Sequence, residues 1–434
     1  MRRLQTVPEK KINIEYIARV EGESTLDVHI SKNEITDLKL KVWEPPRFFE
    51  GFLVGRKYDE ISDMVMRICG ICPVSHSTTA IRALENAMQI TPSAQTKKLR
   101  RLLSYSQVMS SDILHIYMLA APDFLGYESV LAMVPKHLDL VKKAIKMKMV
   151  ANELTEIVGG RAANPVTPKI NGFYQVPSKE RLNSVKKHLE AMQQDTVDTL
   201  KVVASLPIPE FERKTEYVCI RNPEEYTINE GRLVSTEGLD ILEEEYRNHI
   251  IENQISYSNA KQCRIKGRGD FMVGALARVN NNYDLLSDKA KEAAEENHLK
   301  FPVYNPFANT AAQALEVIHL TTRCTEIIDE IDPKPEDTTV NVKAGEGHAL
   351  TEAPRGLLYH GYKLNEKGIV EKAEITTPTT HNVLSMEQDL YKMIPEIMDL
   401  PEGKLALQCE ELIRAYDPCF SCSVHTIKAN VKKD

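Results

Sequence analysis

The sequence predicts a mainly α-helical protein with small β elements, and three observations carry that prediction. Apolar residues recur at helical spacing through most of the chain. Strict apolar–polar alternation is confined to short runs. No Gly/Ser/Pro-rich linker and no internal repeat divides the 434 residues, so the simplest organisation is one large helix-rich domain with small β elements at its edges.

In chain order, the alternating runs Leu26-Asp27-Val28-His29-Ile30 and Leu38-Lys39-Leu40-Lys41-Val42 flank a turn signal, Ser31-Lys32-Asn33-Glu34. They predict a β-hairpin within 12–42, ended by Pro45-Pro46. Helical periodicity then predicts helices over 74–90, 95–120, 127–157, 179–204, 283–297, 308–330, 386–397 and 402–414. Met147 and Met149, near Val150 and Leu154, are read as core packing. Shorter strands are predicted near 216–221, 357–364 and 369–376.

Composition narrows the function classes. A formal net charge of −7, with no dense basic face, argues against nucleic-acid binding. Runs such as Lys142-Lys143 and Glu243-Glu244-Glu245 are read as solvated helix faces. Met1-Arg2-Arg3-Leu4-Gln5-Thr6-Val7-Pro8 has two arginines without the apolar stretch of an export signal, and no window has the length of a membrane span. A soluble cytoplasmic protein is the expectation.

Eight cysteines are too sparse for a disulfide scaffold in a chain of this length. Cys219, Cys263, Cys324 and Cys409 stand alone, without cluster-like spacing, and read as buried apolar residues. The other four form two CxxC pairs, Cys69-Gly70-Ile71-Cys72 and Cys419-Phe420-Ser421-Cys422, each followed closely by a histidine, His76 or His425. Within each pair a turn can aim both sulfurs at one point. Three chemistries compete: a structural zinc site, a redox dithiol, and a soft transition metal whose thiolates are shared between two ions. Zinc ribbons join pairs much closer in sequence than these. Spacing alone does not choose.

The flanking residues add a resemblance. Arg19-Val20-Glu21-Gly22, Pro46-Arg47-Phe48-Phe49-Glu50, His115-Ile116-Tyr117, Ala120-Ala121-Pro122-Asp123, Gly159-Gly160-Arg161, Glu352-Ala353-Pro354-Arg355-Gly356 and Thr377-Pro378-Thr379-Thr380-His381-Asn382 occur in order around the two pairs. Together they resemble nickel–iron hydrogenase large subunits along nearly the whole chain. The resemblance implies a central long-helix bundle with peripheral hairpins, as one domain over 1–425.

It also implies a site. Cys69, Cys72, Cys419 and Cys422 would bind nickel, with Cys72 and Cys422 bridging to an iron that carries carbonyl and cyanide. Soft, anionic, bridging thiolates suit that metal pair. Glu21 matches the family's proton-transfer glutamate, and Arg355, beside Pro354, matches an arginine above the open metal position. Asp123 and Asp417 match the acidic neighbours of that arginine. Glu50, His425 and the carbonyl of Ile375 match ligands of a second, magnesium-type site. His76 is expected to hydrogen-bond near a bridging sulfur, and Thr379 or Thr380 to donate to a cyanide. Two departures stand out: Asn164 replaces a frequent histidine, and His381 replaces a frequent tryptophan. The former cannot titrate, and the latter is expected to pack or to donate at the surface.

The family's large subunit is cut after the histidine that follows the last pair, which would remove 426–434, a polar segment. Implied partners are an iron–sulfur small subunit, flavin-bearing diaphorase subunits that exchange electrons with NAD(P), a maturation endopeptidase and nickel-insertion proteins. Iron–sulfur clusters and flavin would sit in those partners, and no dinucleotide-binding glycine fingerprint appears in this chain. The soluble bidirectional and sulfhydrogenase group fits best. F420-linked or heterodisulfide-reductase-linked hydrogenases, a hydrogen sensor and a structural zinc protein are the competing expectations.

Overall fold

The computed structural model describes residues 10–424, so the terminal arginines, His425 and the 426–434 tail lie outside the described residues. The predicted hairpin is a three-stranded antiparallel meander: Lys10–Ile14 (β1) pairs with Ser24–Ser31 (β2), and β2 with Glu34–Val42 (β3). Lys32 and Asn33 turn the hairpin at φ 53° and 62°. Two consecutive left-handed residues form the mirror-image turn that matches strand twist. Alternation then drives Leu26, Val28, Leu38 and Leu40 into the core.

The long helices follow the predicted periods closely. They are Pro73–Met88 (α1), Ala94–Leu114 (α2), Val130–Gly159 (α3) and Lys179–Ala204 (α4), then the shorter Ala275–Asn282 (α5) and the long Asn309–Glu330 (α6). Pro378–Ile397 (α7) and Glu402–Ala415 (α8) follow; α5 and the short Tyr58–Val65 lie outside the predicted periods, and the predicted 283–297 is the shorter helix Asp288–Glu296. Helices α2, α3, α4 and α6 pack into a bundle. Three of these start at a serine, Ser93, Ser129 or Ser178, whose side chain accepts the amide three residues on. Every residue of α6 from Asn309 to Thr321 is buried, which makes it the inner helix.

Two of the bundle helices are irregular, and the first bears on the site. α2 runs into a π-helical turn, His115–Ala120, which turns His115 inward onto Gln313 of α6. α3 carries Pro135, and His137 next to it leaves helical geometry at φ −127°.

The strands Glu216–Arg221 (β4), Gly356–Leu364 (β6) and Val370–Thr376 (β7) lie where sequence patterning puts them. Several were missed, among them the short Arg232–Ser235, Ile250–Gln254 and Lys261–Ile265; the longest is Gly345–Ala353 (β5), which pairs with β6 and lies under α1. Its two glycines and two glutamates break the apolar alternation that marks a strand. α7 begins at Pro378 rather than at 386, because proline at the first helical position costs no hydrogen bond. Among the described residues, no helix is long and apolar enough to cross a membrane.

Burial holds the imidazoles of His319 and His381 down at about 3, against an ordinary 6.5. Each stays neutral in the fold and gains a proton on unfolding as pH falls below 6.5. Stability therefore drops on acidification, by about 1.4 kcal/mol per pH unit for each histidine. His319→Gln is expected to flatten the fall in urea midpoint between pH 6.5 and about 5 relative to the native chain; parallel curves would refute it.

Candidate metal centre

The first cysteine pair follows a 3-10 turn, Met66–Ile68, and Cys72 is the residue on which α1 begins. The second pair sits on a single helical turn, Phe420–Ser423, with Cys419 just before it. The fold brings the two together. Cys69 Sγ lies 3.6 Å from Cys419 Sγ, and Cys419 Sγ lies 2.6 Å from Cys422 Sγ. The sulfurs of Cys69, Cys72 and Cys422 all fall within 4.8 Å of one another, the one such grouping of metal-ligating side chains among the described residues. All four thiols are buried, at 2–4% exposure.

Arg47 ties the two loops. Its guanidinium donates to the Ile68 carbonyl at 2.6 Å and to the Ser421 carbonyl at 2.7 Å. The sequence marked only its segment. No spacing rule points at a side chain that works on carbonyls from both chain ends.

The segment 19–22 runs beside the second pair. Glu21 and Cys419 form a parallel bridge, and the Phe420 amide donates to the Glu21 carbonyl at 2.7 Å. Gly22 permits this approach: at φ 88°, a Cβ there would stand 2.6 Å from the Ser421 nitrogen. The Glu21 carboxylate accepts from Cys419 Sγ at 2.9 Å and from the Ser421 hydroxyl.

Arg355 sits on the β5–β6 turn and is 4% exposed. Its Nε donates to Asp417 Oδ1 at 2.9 Å, while both terminal nitrogens are buried with no hydrogen-bond partner among the described residues. Burial opposes its charge, but Asp417, Cys419, Cys69 and Cys72 outweigh that and push its pKa up. Asp417 also accepts from Gln313 at 3.3 Å, and Gln313 holds His115 at 2.6 Å. The π-helical turn is thus wired to the site.

Asp123 departs from expectation. Its ion pairs run to Arg414, at 2.8 and 3.0 Å, and to Arg19, rather than to Arg355. The acid the sequence reading missed is Asp112 on α2. It is fully buried, both its oxygens lack partners among the described residues, and burial first, then Glu316, raises its pKa well above the ordinary value. Arg278, Arg355 and Asp417 also act on it. The available signal was that Asp112 is the one acidic residue of α2, near its end.

The remaining expectations sort as follows. Glu50 accepts the Ile375 amide at 2.7 Å, so these two residues meet. His76 is fully buried, with Nδ1 3.2 Å from His360 Nε2, and its amide donates to the Cys72 carbonyl. Thr379 accepts the Cys419 amide at 2.8 Å, and Thr380 pairs with Thr377. The Pro354 carbonyl accepts from Arg278. Asn164 has a buried, unpartnered Oδ1. His381 is not a surface group: it is fully buried against Tyr246, 2.6 Å from its hydroxyl. The four single cysteines are buried, as their isolation predicted.

The donor set fits soft metal ions. Four buried sulfurs share one space, yet only Cys69 has its pKa drawn down, by the thiols of Cys419, Cys422 and Cys72; burial pushes Cys419 and Cys422 up. Holding all four as thiolates requires more positive charge than Arg355 alone supplies. Thiolate-bound cations provide it.

Comparison with known proteins agrees. A model of the nickel-dependent hydrogenase family matches residues 47–207 and 219–425. Sulfhydrogenase 1 subunit alpha of Pyrococcus furiosus is 36% identical over 423 residues, covering 96% of this chain and 98% of the relative. Sulfhydrogenase 2 subunit alpha of the same organism is 31% identical, covering 96% and 99%. In structure, an NAD+-reducing NiFe-hydrogenase in its H2-reduced state superposes with a TM-score of 0.89 at 24% identity, covering 96% of this chain and 99% of that one. The Ni-Fe-Se hydrogenase of D. vulgaris Hildenborough gives 0.77 at 22% identity, covering 96% and 100%. These two likenesses establish a hydrogenase large-subunit fold. The chain belongs to the nickel-dependent hydrogenase family and is a catalytic subunit of that enzyme class.

Cys422→Ser is expected to abolish hydrogen uptake and to lower bound nickel in the purified complex, read by elemental analysis. Full nickel content with native turnover in that variant would remove Cys422 from the ligand set.

Proposed function

We propose that Cys69, Cys72, Cys419 and Cys422 would hold nickel, and that Cys72 and Cys422 would also serve as ligands to an iron carrying carbonyl and cyanide. The observation that carries this reading is the convergence of four buried sulfurs beneath a guanidinium with unused donors. When bound, the nickel–iron centre supplies reversible heterolytic cleavage of dihydrogen into two protons and two electrons.

The chain's own groups handle the proton and exclude water. Cys419 Sγ donates toward Glu21 Oε2 at 2.9 Å, a distance suited to transfer between sulfur and carboxylate. The Ser421 hydroxyl and amide hold that carboxylate in place. Arg355 stays charged and aims two free N–H-bearing nitrogens into the buried site, where a low dielectric strengthens their pull on a bound species. Asp417 orients it through one bond. Thr379 braces the turn that carries Cys419 and keeps its hydroxyl proton for a further acceptor such as cyanide.

The same reading gives Glu50, the Ile375 carbonyl and His425 to a magnesium ion beneath the centre; the Glu50–Ile375 contact supports it. Electrons pass to an iron–sulfur small subunit and from there, through flavin-bearing diaphorase subunits, to NAD(P). The names of the sulfhydrogenase alpha relatives and of the NAD+-reducing structural neighbour support that group. Maturation would employ nickel-insertion proteins and an endopeptidase that removes 426–434, leaving a single cytoplasmic domain over 1–425.

Infrared spectra of the mature complex are expected to contain carbonyl and cyanide stretches alongside nickel and iron; a preparation with zinc and neither stretch would overturn the assignment. Glu21→Gln is expected to slow hydrogen–deuterium exchange by roughly 100-fold or more with both metals retained. Unchanged exchange would remove Glu21 from the proton path.

A further inference from the structure

Arg355 rides on the tip of a hairpin, and among the described residues one hydrogen bond, to Asp417, anchors its side chain. Its aim is therefore set by its backbone. The turn Ala353-Pro354-Arg355-Gly356 is tightly enclosed: Gly356 has φ 124°, and a Cβ there would lie 2.5 Å from Val273 Cγ2.

Arg278 of α5 holds that turn from inside the protein. It is wholly buried, and each of its nitrogens is engaged. Nε donates to Glu316 Oε1 at 2.5 Å. One terminal nitrogen donates to Glu352 Oε2 at 3.1 Å and to the Ala353 carbonyl at 3.0 Å. The other donates to Glu316 Oε2 at 2.7 Å and to the Pro354 carbonyl at 2.9 Å. A guanidinium has five N–H groups, and all five are used. The supports are themselves fixed: Tyr226 donates to Glu316 at 2.5 Å, and Glu352 accepts the Ile220 amide at 2.9 Å.

Two of the five donors go to the carbonyls immediately preceding Arg355. Any buried guanidinium needs acceptors for its N–H groups; here two of those acceptors are the carbonyls that lead into Arg355, so the network that satisfies Arg278 also fixes the turn. We propose that Arg278, braced by Glu316 and Tyr226, is a positioning residue that fixes the direction of the Arg355 guanidinium over the metal centre. This rests on the role given to Arg355 above. Lysine at 278 has three donors on a flexible stem, and it cannot serve both carbonyls and Glu316 in the same planar arrangement. Misplacement of a catalytic group by about 1 Å is enough to cost on the order of 100-fold in rate.

The test uses the assembled complex of this chain with its partner subunits and a soluble dye as electron acceptor. It compares R278K, R355K and R278K/R355K in kcat, KM for hydrogen, nickel and iron content, and melting temperature. R355K is expected to lower kcat by roughly 100-fold and R278K by roughly 10-fold, with metal content and KM unchanged. The double variant is expected to be no slower than R355K, within about two-fold, because Arg278 acts only through Arg355. Multiplying losses, or native kcat in R278K, would overturn the proposal. Native kcat in R355K marks a different failure: Arg355 itself then lacks the assigned role, and the positioning role falls with it. If R278K loses metal or melts early, E316Q and Y226F enter the same cycle with R355K, since each keeps Arg278 and weakens one support. Losses that vanish in the R355K background uphold the proposal; losses that persist there refute it.

Discussion

Bringing four sulfur atoms from opposite ends of the chain into one water-free space imposes a constraint that the surrounding structure visibly serves. Thiolates resist that environment unless cations accompany them. The turns that carry them are short and gain little stability of their own, so they must be held from outside. Arg47 does so by spanning both loops, and the 19–22 segment does so by pairing with the second loop. Beneath them, α1 rests on the β5–β6–β7 sheet and fixes Cys72 at its first turn. The helical bundle matters to the chemistry chiefly as the rigid body behind these contacts.

Electrostatics in the interior follow the same logic. Two fully enclosed arginines, Arg278 and Arg355, face the carboxylates Glu316, Glu352 and Asp417. Asp112 and Glu352 both have raised pKa values, the latter to about 7, for the same first reason, burial. Glu352 gains one bond from Arg278, and Asp112 has no hydrogen-bond partner among the described residues. The two arginines thus pair with Asp417, Glu316 and Glu352, while burial works against charge on Asp112 and Glu352. A site whose own task is to part charges is built on a background where stray charge is suppressed.

Much of this was legible beforehand, for physical reasons that differ by element. The bundle helices showed themselves because each presents a long apolar face, and the β2–β3 hairpin because one face is wet. The cysteine pairs stood out by their spacing, which left zinc, a redox dithiol and a soft metal open; only the ordered flanking segments favoured nickel–iron. What stayed hidden was tertiary. β5 is buried on both faces and lost its alternation; Asp112 and Arg47 owe their importance to neighbours far along the chain. The assignment of Asp123 failed for the same reason: motif position put it near Arg355, but folding gives it to Arg414 and Arg19. Sequence segments report which residues travel together, not which side chains finally face each other.

The distance in sequence between the two sulfur pairs also has a consequence in time. Cys69 and Cys419 are 350 residues apart, and a ribosome adding roughly 5–20 residues per second needs about 20–70 s to cover that interval. Throughout it, the nascent chain carries a CxxC dithiol, already folded against α1 or waiting beside it, with neither of its later companions yet made. A dithiol in that state is open to oxidation and to capture by whichever thiophilic ion arrives first. Fidelity at this centre therefore begins during translation, and any factor that shelters the early pair has to act on an unfinished polypeptide.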